Sequence, residues 1–109
     1  MQFSDQLNHA ITQTSPIMLG IDPNFDRMPT FLKPVSSDDI ESSLIRFCDL
    51  AMTAAEGKAC GVKFQSAYFE QYAQQGLNAL QAAMQLAKKK GLISLLDVKR
   101  GDIGQTSTA

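Results

Sequence analysis

The sequence is poor in the residues that hold metals or staple small folds: two cysteines and one histidine among 109 residues. His9 has no cysteine or histidine at ligand spacing, which argues against a zinc site. Cys48 and Cys60 lie in apolar segments, and the polar start MQFSDQLNHA lacks the basic region and apolar run of a signal peptide. They are expected to be reduced, buried thiols in a cytoplasmic protein. No apolar run approaches the ~20 residues of a membrane span. Charge of one sign is not in excess either: 10 basic against 11 acidic residues give a net charge of −1, and the basic residues do not cluster. A nucleic-acid or membrane-surface role therefore has little support, leaving small molecules or proteins as partners. With few prolines and 44% hydrophobic residues, the chain is long enough for one modest globular core.

What is present alternates between two periods. Phe3, Leu7, Ala10 and Ile11 recur at helical spacing until Ser15-Pro16, and Ile17 to Ile21 form a short apolar strand ending at Asp22-Pro23. Asn24 to Ser37, with Pro29 and Pro34, reads as a loop. A second helix is expected near Asp38, whose spacing to Glu41 suits a capping box, with Ile40, Leu44, Phe47, Cys48 and Ala51 as its apolar face and Gly57 as its stop. Ala59 to Phe64 is a second strand, weakened by Gly61. A helical stretch follows from about Ser66, its stripe carried by Phe69, Tyr72, Leu77, Leu80, Met84 and Ala87, and Gly91 after three lysines ends it. Met52 and Met84 read as core filler. Leu92 to Val98 is an unbroken apolar strand of the kind buried on both faces. Thr106 to Ala109 is expected to open a further helix.

Helix, then strand and helix in alternation, implies an α/β fold with parallel strands and right-handed crossovers. Three such strands leave an edge open and one layer uncovered. The pattern fits the first part of a larger barrel or sheet.

In parallel α/β folds, chemistry gathers at the carboxyl ends of the strands. Here Asp22 ends the first strand, Lys63 lies near the end of the second, and Asp97 and Lys99 end the third on one side of it. Each has a plain alternative: Asp22 before Pro23 as a turn initiator, Lys63 as a solvated lysine, Asp102 with Gln105 as a helix cap. Their joint placement on three successive strand ends, with alternating sign, points to a site, with Asp97, Lys99 and Asp102 at its centre. Neither a G-x-G-x-x-G nor a P-loop pattern occurs, and the tripeptide Arg100-Gly101-Asp102 is set aside as an adhesion motif.

LDVKRGDIGQT, from Leu96 to Thr106, resembles the signature of the orotidine 5'-monophosphate decarboxylase family, in particular its longer bacterial group. LGIDP at 19–23 and GVKFQSAYFE at 61–70 are similar to two further family segments in the same order; Phe64 stands where the family usually has proline. The resemblance implies a (β/α)₈ barrel of ~250 residues, of which residues 1–109 supply an N-terminal helix and about three strands of a single domain. It implies decarboxylation of orotidine 5'-monophosphate to uridine 5'-monophosphate, the last step of de novo pyrimidine biosynthesis, without metal or cofactor. Lys63, Asp97, Lys99 and Asp102 fall on the family's charged tetrad, with Lys99 donating a proton to C6 and Lys63 binding a ribose hydroxyl while holding Asp97. Asp22 and Thr106 would contact the ribose and Ile103 would line the pyrimidine pocket, Asp102 and Thr106 reaching into the partner's site of a homodimer. The phosphate-gripping residues would lie beyond Ala109, so the chain alone is expected to be inactive. Two rival readings are a Mg²⁺-dependent sugar-phosphate decarboxylase or aldolase of the same superfamily, disfavoured by the Ile-Gly-x-Thr continuation, and a non-catalytic barrel fragment that only binds.

Overall fold

A computed structural model of the chain describes residues 2–99 and 106–108. Helix α1 (Phe3–Gln13) leads into β1 (Met18–Ile21), and Ser15 Oγ fastens this junction by donating to the Lys58 carbonyl at 2.6 Å. Three short 3₁₀ turns carry the chain from Phe25 to Asp39, burying Met28 and Leu32 beneath an otherwise exposed loop. Helix α2 (Ile40–Ala55) ends at Gly57, whose φ of +76° is the left-handed conformation in which glycine costs least. Strand β2 (Gly61–Gln65) runs directly into a short helix α3 (Ser66–Glu70), followed by α4 (Ala73–Lys89) and β3 (Ile93–Lys99). Gly91, at φ +74°, closes α4: its N–H donates to Lys88 O and that of Leu92 to Ala87 O, the paired bonds of a Schellman motif.

The three strands pair in parallel in the order β1-β2-β3, with Gly20, Lys63 and Leu95 in register, and Gln65 opposite Asp97. Alternation along each strand then sorts the sheet into two faces. Ile21, Val62 and Phe64, all nearly fully buried, join Leu44, Cys48 and Met52 of α2 and Ala79, Leu80, Ala83 and Ala87 of α4 in the core. Gly20 and Lys63 belong to the opposite, exposed face. Alanines along α4 hold it close to α2, and that contact is extensive. No helix among the described residues is long and apolar enough to cross a membrane.

Several expectations change in detail. The capping box forms between Ser36 and Asp39 rather than Asp38 and Glu41: Asp39 Oδ2 accepts from Ser36 N and Oγ at 3.3 and 3.4 Å. Glu41 instead accepts from Asn78 Nδ2 at 3.1 Å, while its own N–H donates to Gln75 Oε1, so α4 supplies part of the cap of α2. The long helix expected from Ser66 is broken between Glu70 and Ala73, where Ala73 takes φ +53°. Gly76 explains the break, since a Cβ there would overlap the Phe69 carbonyl oxygen. The break also rotates α4, leaving Leu77 exposed and moving Ala79 and Ala83 onto the buried stripe. Gly61 does not weaken β2; it admits β3, because a Cβ there would overlap the Ile93 carbonyl oxygen.

Thr106–Thr108 forms a fourth strand, β4, antiparallel to β3, with Thr106 opposite Lys99, in place of the expected helix. β-branched threonines suit a strand, and β3 otherwise offers a row of unpaired backbone groups along that edge.

Candidate active site

Three strand ends build one rim. β1 delivers Asp22, exposed, immediately before the fully buried Pro23. β2 delivers Lys63 from the exposed face. β3 delivers Asp97 one pleat nearer the rim than Leu95, the register partner of Lys63. The lysine stem spans that diagonal, and Lys63 Nζ lies 3.4 Å from Asp97 Oδ2. The pair is asymmetric: the lysine side chain is 46% exposed, the aspartate only 7%. Asp97 Oδ1 is buried and has no hydrogen-bond partner among the described residues. A buried carboxylate with one half-solvated cation and an unused oxygen is poorly arranged for stability, because desolvation is only partly offset. Such an arrangement suits a group that acts on something else.

Of the residues singled out by sequence, Lys63 and Asp97 are thus brought into contact, and Asp22 stands on the same rim with no ion pair to either. Lys99 is the last residue of β3, two positions beyond Asp97, and Thr106 is its backbone partner in β4. Asp102 and Ile103 lie outside the described residues. Phe64 is a core residue, fully buried and edge-on to Phe69 at 6.1 Å. Its ring fills space between the sheet and α3.

Two neighbours were passed over by sequence reasoning. Gln65 is the register partner of Asp97, and Ser66, in the first turn of α3, has a buried hydroxyl without a partner among the described residues. Only the junction of an apolar strand with a polar Gln-Ser pair marked them. Cys48 and Cys60 are free and buried, as expected; burial pushes the Cys48 thiol up to about 12.

Parallel strands with helices on one face, an open opposite face and charge gathered at the carboxyl ends make this part of a (β/α)₈ barrel. No family model matches the chain. Individual proteins do: it is 40% identical over 107 residues to orotidine 5'-phosphate decarboxylase of Myxococcus xanthus, covering 98% of this chain and 36% of the relative. That of Salinispora arenicola is 36% identical over 107 residues, with 98% and 37% covered. Among solved structures, Leishmania donovani UMP synthase superposes with a TM-score of 0.70 at 26% identity, over 94% of this chain and 20% of that one. A Streptomyces avermitilis protein assigned as orotidine 5'-phosphate decarboxylase gives 0.67 at 29% identity, over 94% and 34%. The chain is therefore a relative of a portion of the orotidine 5'-phosphate decarboxylases, and spans about a third of the length of the curated relatives it matches.

Proposed function

We propose that residues 1–109 form the first part of a single barrel domain that decarboxylates orotidine 5'-monophosphate to uridine 5'-monophosphate in the cytoplasm, without a metal. The observation that carries this is the Lys63–Asp97 contact at the strand ends, with a buried carboxylate oxygen that has no hydrogen-bond partner among the described residues.

Loss of CO₂ from C6 leaves an electron pair in the ring plane, outside the π system, so the developing charge must be met electrostatically. Lys99, two residues from Asp97, is assigned that role and then donates the proton that replaces CO₂. Flanking carboxylates at Asp97 and Asp102 favour its charged form. Lys63 holds Asp97 in place and binds a ribose hydroxyl, and Asp22 binds the ribose. Ile103 lines the pyrimidine pocket. In a homodimer with shared sites, Asp102 and Thr106 complete the partner's site, which requires Thr106 to leave its pairing with Lys99.

Repulsion between Asp97 and the substrate carboxylate, about 4 kcal/mol at 4 Å and an effective dielectric of 20, is small beside the up to ~23 kcal/mol that enzymes remove from barriers. Preorganised charge and binding energy from the remote phosphate must supply most of the rest. Residues that grip the phosphate belong to barrel strands outside this chain, so the 109 residues alone are inactive.

The test joins the chain to the remaining two-thirds of the Myxococcus xanthus relative and follows loss of orotidine 5'-monophosphate absorbance in excess EDTA. Turnover that survives chelation supports the proposal; turnover that appears only on adding Mg²⁺ would move the site to the sugar-phosphate enzymes. Mixing Lys99→Ala and Asp102→Asn subunits should restore part of the activity if sites are shared.

A further inference from the structure

The largest aromatic concentration in the chain has no part in the chemistry above. The loop after β1 and the break between α3 and α4 enclose a cleft of 410 Å³, lined by Asn24, Phe25, Asp26, Tyr68, Gln71 and Tyr72. Its volume lies at the lower end of the roughly 300–1,000 Å³ of small-molecule pockets. Both tyrosines of the chain are here. Phe25 and Tyr72 form a prebuilt wall, with ring centroids 5.2 Å apart at 49°. Among the described residues, the ionisable groups lining the cleft are the two phenols and the Asp26 carboxylate, with no cation, and Asp26 takes part in no ion pair. Burial, and then the negative charge of Asp26, raise the Tyr72 pKa, so the carboxylate acts on that ring. Asn24 Oδ1 is already committed to the Asp26 N–H at 2.9 Å, which fixes the loop that carries the carboxylate.

π faces with one uncompensated carboxylate attract a cation and repel an anion. We infer that this cleft binds a small organic ammonium ion, seated against Phe25, Tyr68 and Tyr72 and paired with Asp26. It stands on different residues from the decarboxylation site, so either reading can fail alone.

The chain has no tryptophan, so its intrinsic emission comes from the two tyrosines of the cleft and reports occupancy directly. Choline is titrated against the intact chain, with 3,3-dimethylbutan-1-ol as the neutral isostere of the same shape. A saturable change with choline, at least about tenfold weaker with the alcohol, is expected, because cation–π and ion-pair attraction both need the charge. Asp26→Asn should weaken choline binding several-fold, and Tyr68→Leu should weaken it with the fold intact by circular dichroism. Equal binding of the two probes would overturn the inference, as would no response to either, or unchanged affinity in Asp26→Asn.

Discussion

Replacing Lys63 by methionine keeps the stem and removes the ammonium that faces Asp97. At 3.4 Å, Coulomb's law gives about 5 kcal/mol at an effective dielectric of 20 and about 1 kcal/mol in bulk water. The lysine is 46% exposed, which draws the true value toward the lower figure. The aspartate is 7% exposed and would lose the one ion-pair partner it has among the described residues, which draws it back up. A loss of about 2 kcal/mol follows. In urea at neutral pH, with a denaturant slope of about 1–3 kcal/mol/M, the unfolding midpoint should fall by about 1 M. Asp97→Asn should be neutral or stabilising, because it removes the desolvated charge while keeping the shape. The double variant should recover most of what Lys63→Met loses. A Lys63→Met midpoint equal to that of the parent chain, or a double variant as unstable as the single, would refute the reasoning.

Other consequences are simpler. Gly61→Ala drives a Cβ into the Ile93 carbonyl and within 3.0 Å of its carbon, so β2 and β3 must separate; a loss above about 2 kcal/mol is expected in the same urea series. Phe69→Ala empties a fully buried site against Phe64 and should cost about 3–5 kcal/mol. Because the folded Cys48 thiol titrates near 12, above its ordinary value of 9.0, the folded state holds that proton longer than the unfolded one. Its contribution is complete below pH 9 and is lost as pH rises towards 12, so alkaline melting curves should fall more steeply for the parent chain than for Cys48→Ala. Both thiols are buried, so a thiol reagent at neutral pH should label them only at the rate of unfolding.

Much of this fold was legible because its signals are local. Asp22-Pro23, Gly57 and Gly91 end elements where they should, and the apolar runs around Ile21, Val62 and Leu96 are strands. What escaped depends on contacts distant in sequence. Gln75 caps α2 from another helix, and Gly76 packs under the Phe69 carbonyl; neither can be seen in a window of hydrophobic period, so Leu77 was placed on the wrong face. Gly61 carried a signal that was misread: a glycine inside a strand marks close backbone approach as readily as weakness. At the site, the strand-end positions placed Lys63 and Asp97 on one rim, but their contact depends on the register of two strands about thirty residues apart. The edge strand at Thr106–Thr108 was missed because pairing along the open edge of β3 outweighs the helix-opening pattern of the sequence.

The role given to Lys99 is tested most directly by Lys99→Ala in the chain joined to the remaining two-thirds of the Myxococcus xanthus relative, comparing turnover of orotidine 5'-monophosphate with that of the parent fusion. Loss of at least about a thousandfold in kcat, in a protein that still folds and binds uridine 5'-monophosphate, is the predicted result, since one preorganised charge at the reacting atom is worth 10²–10³ or more and the same group gives the proton. Turnover within tenfold of the parent would remove Lys99 from the chemistry and contradict the proposed mechanism.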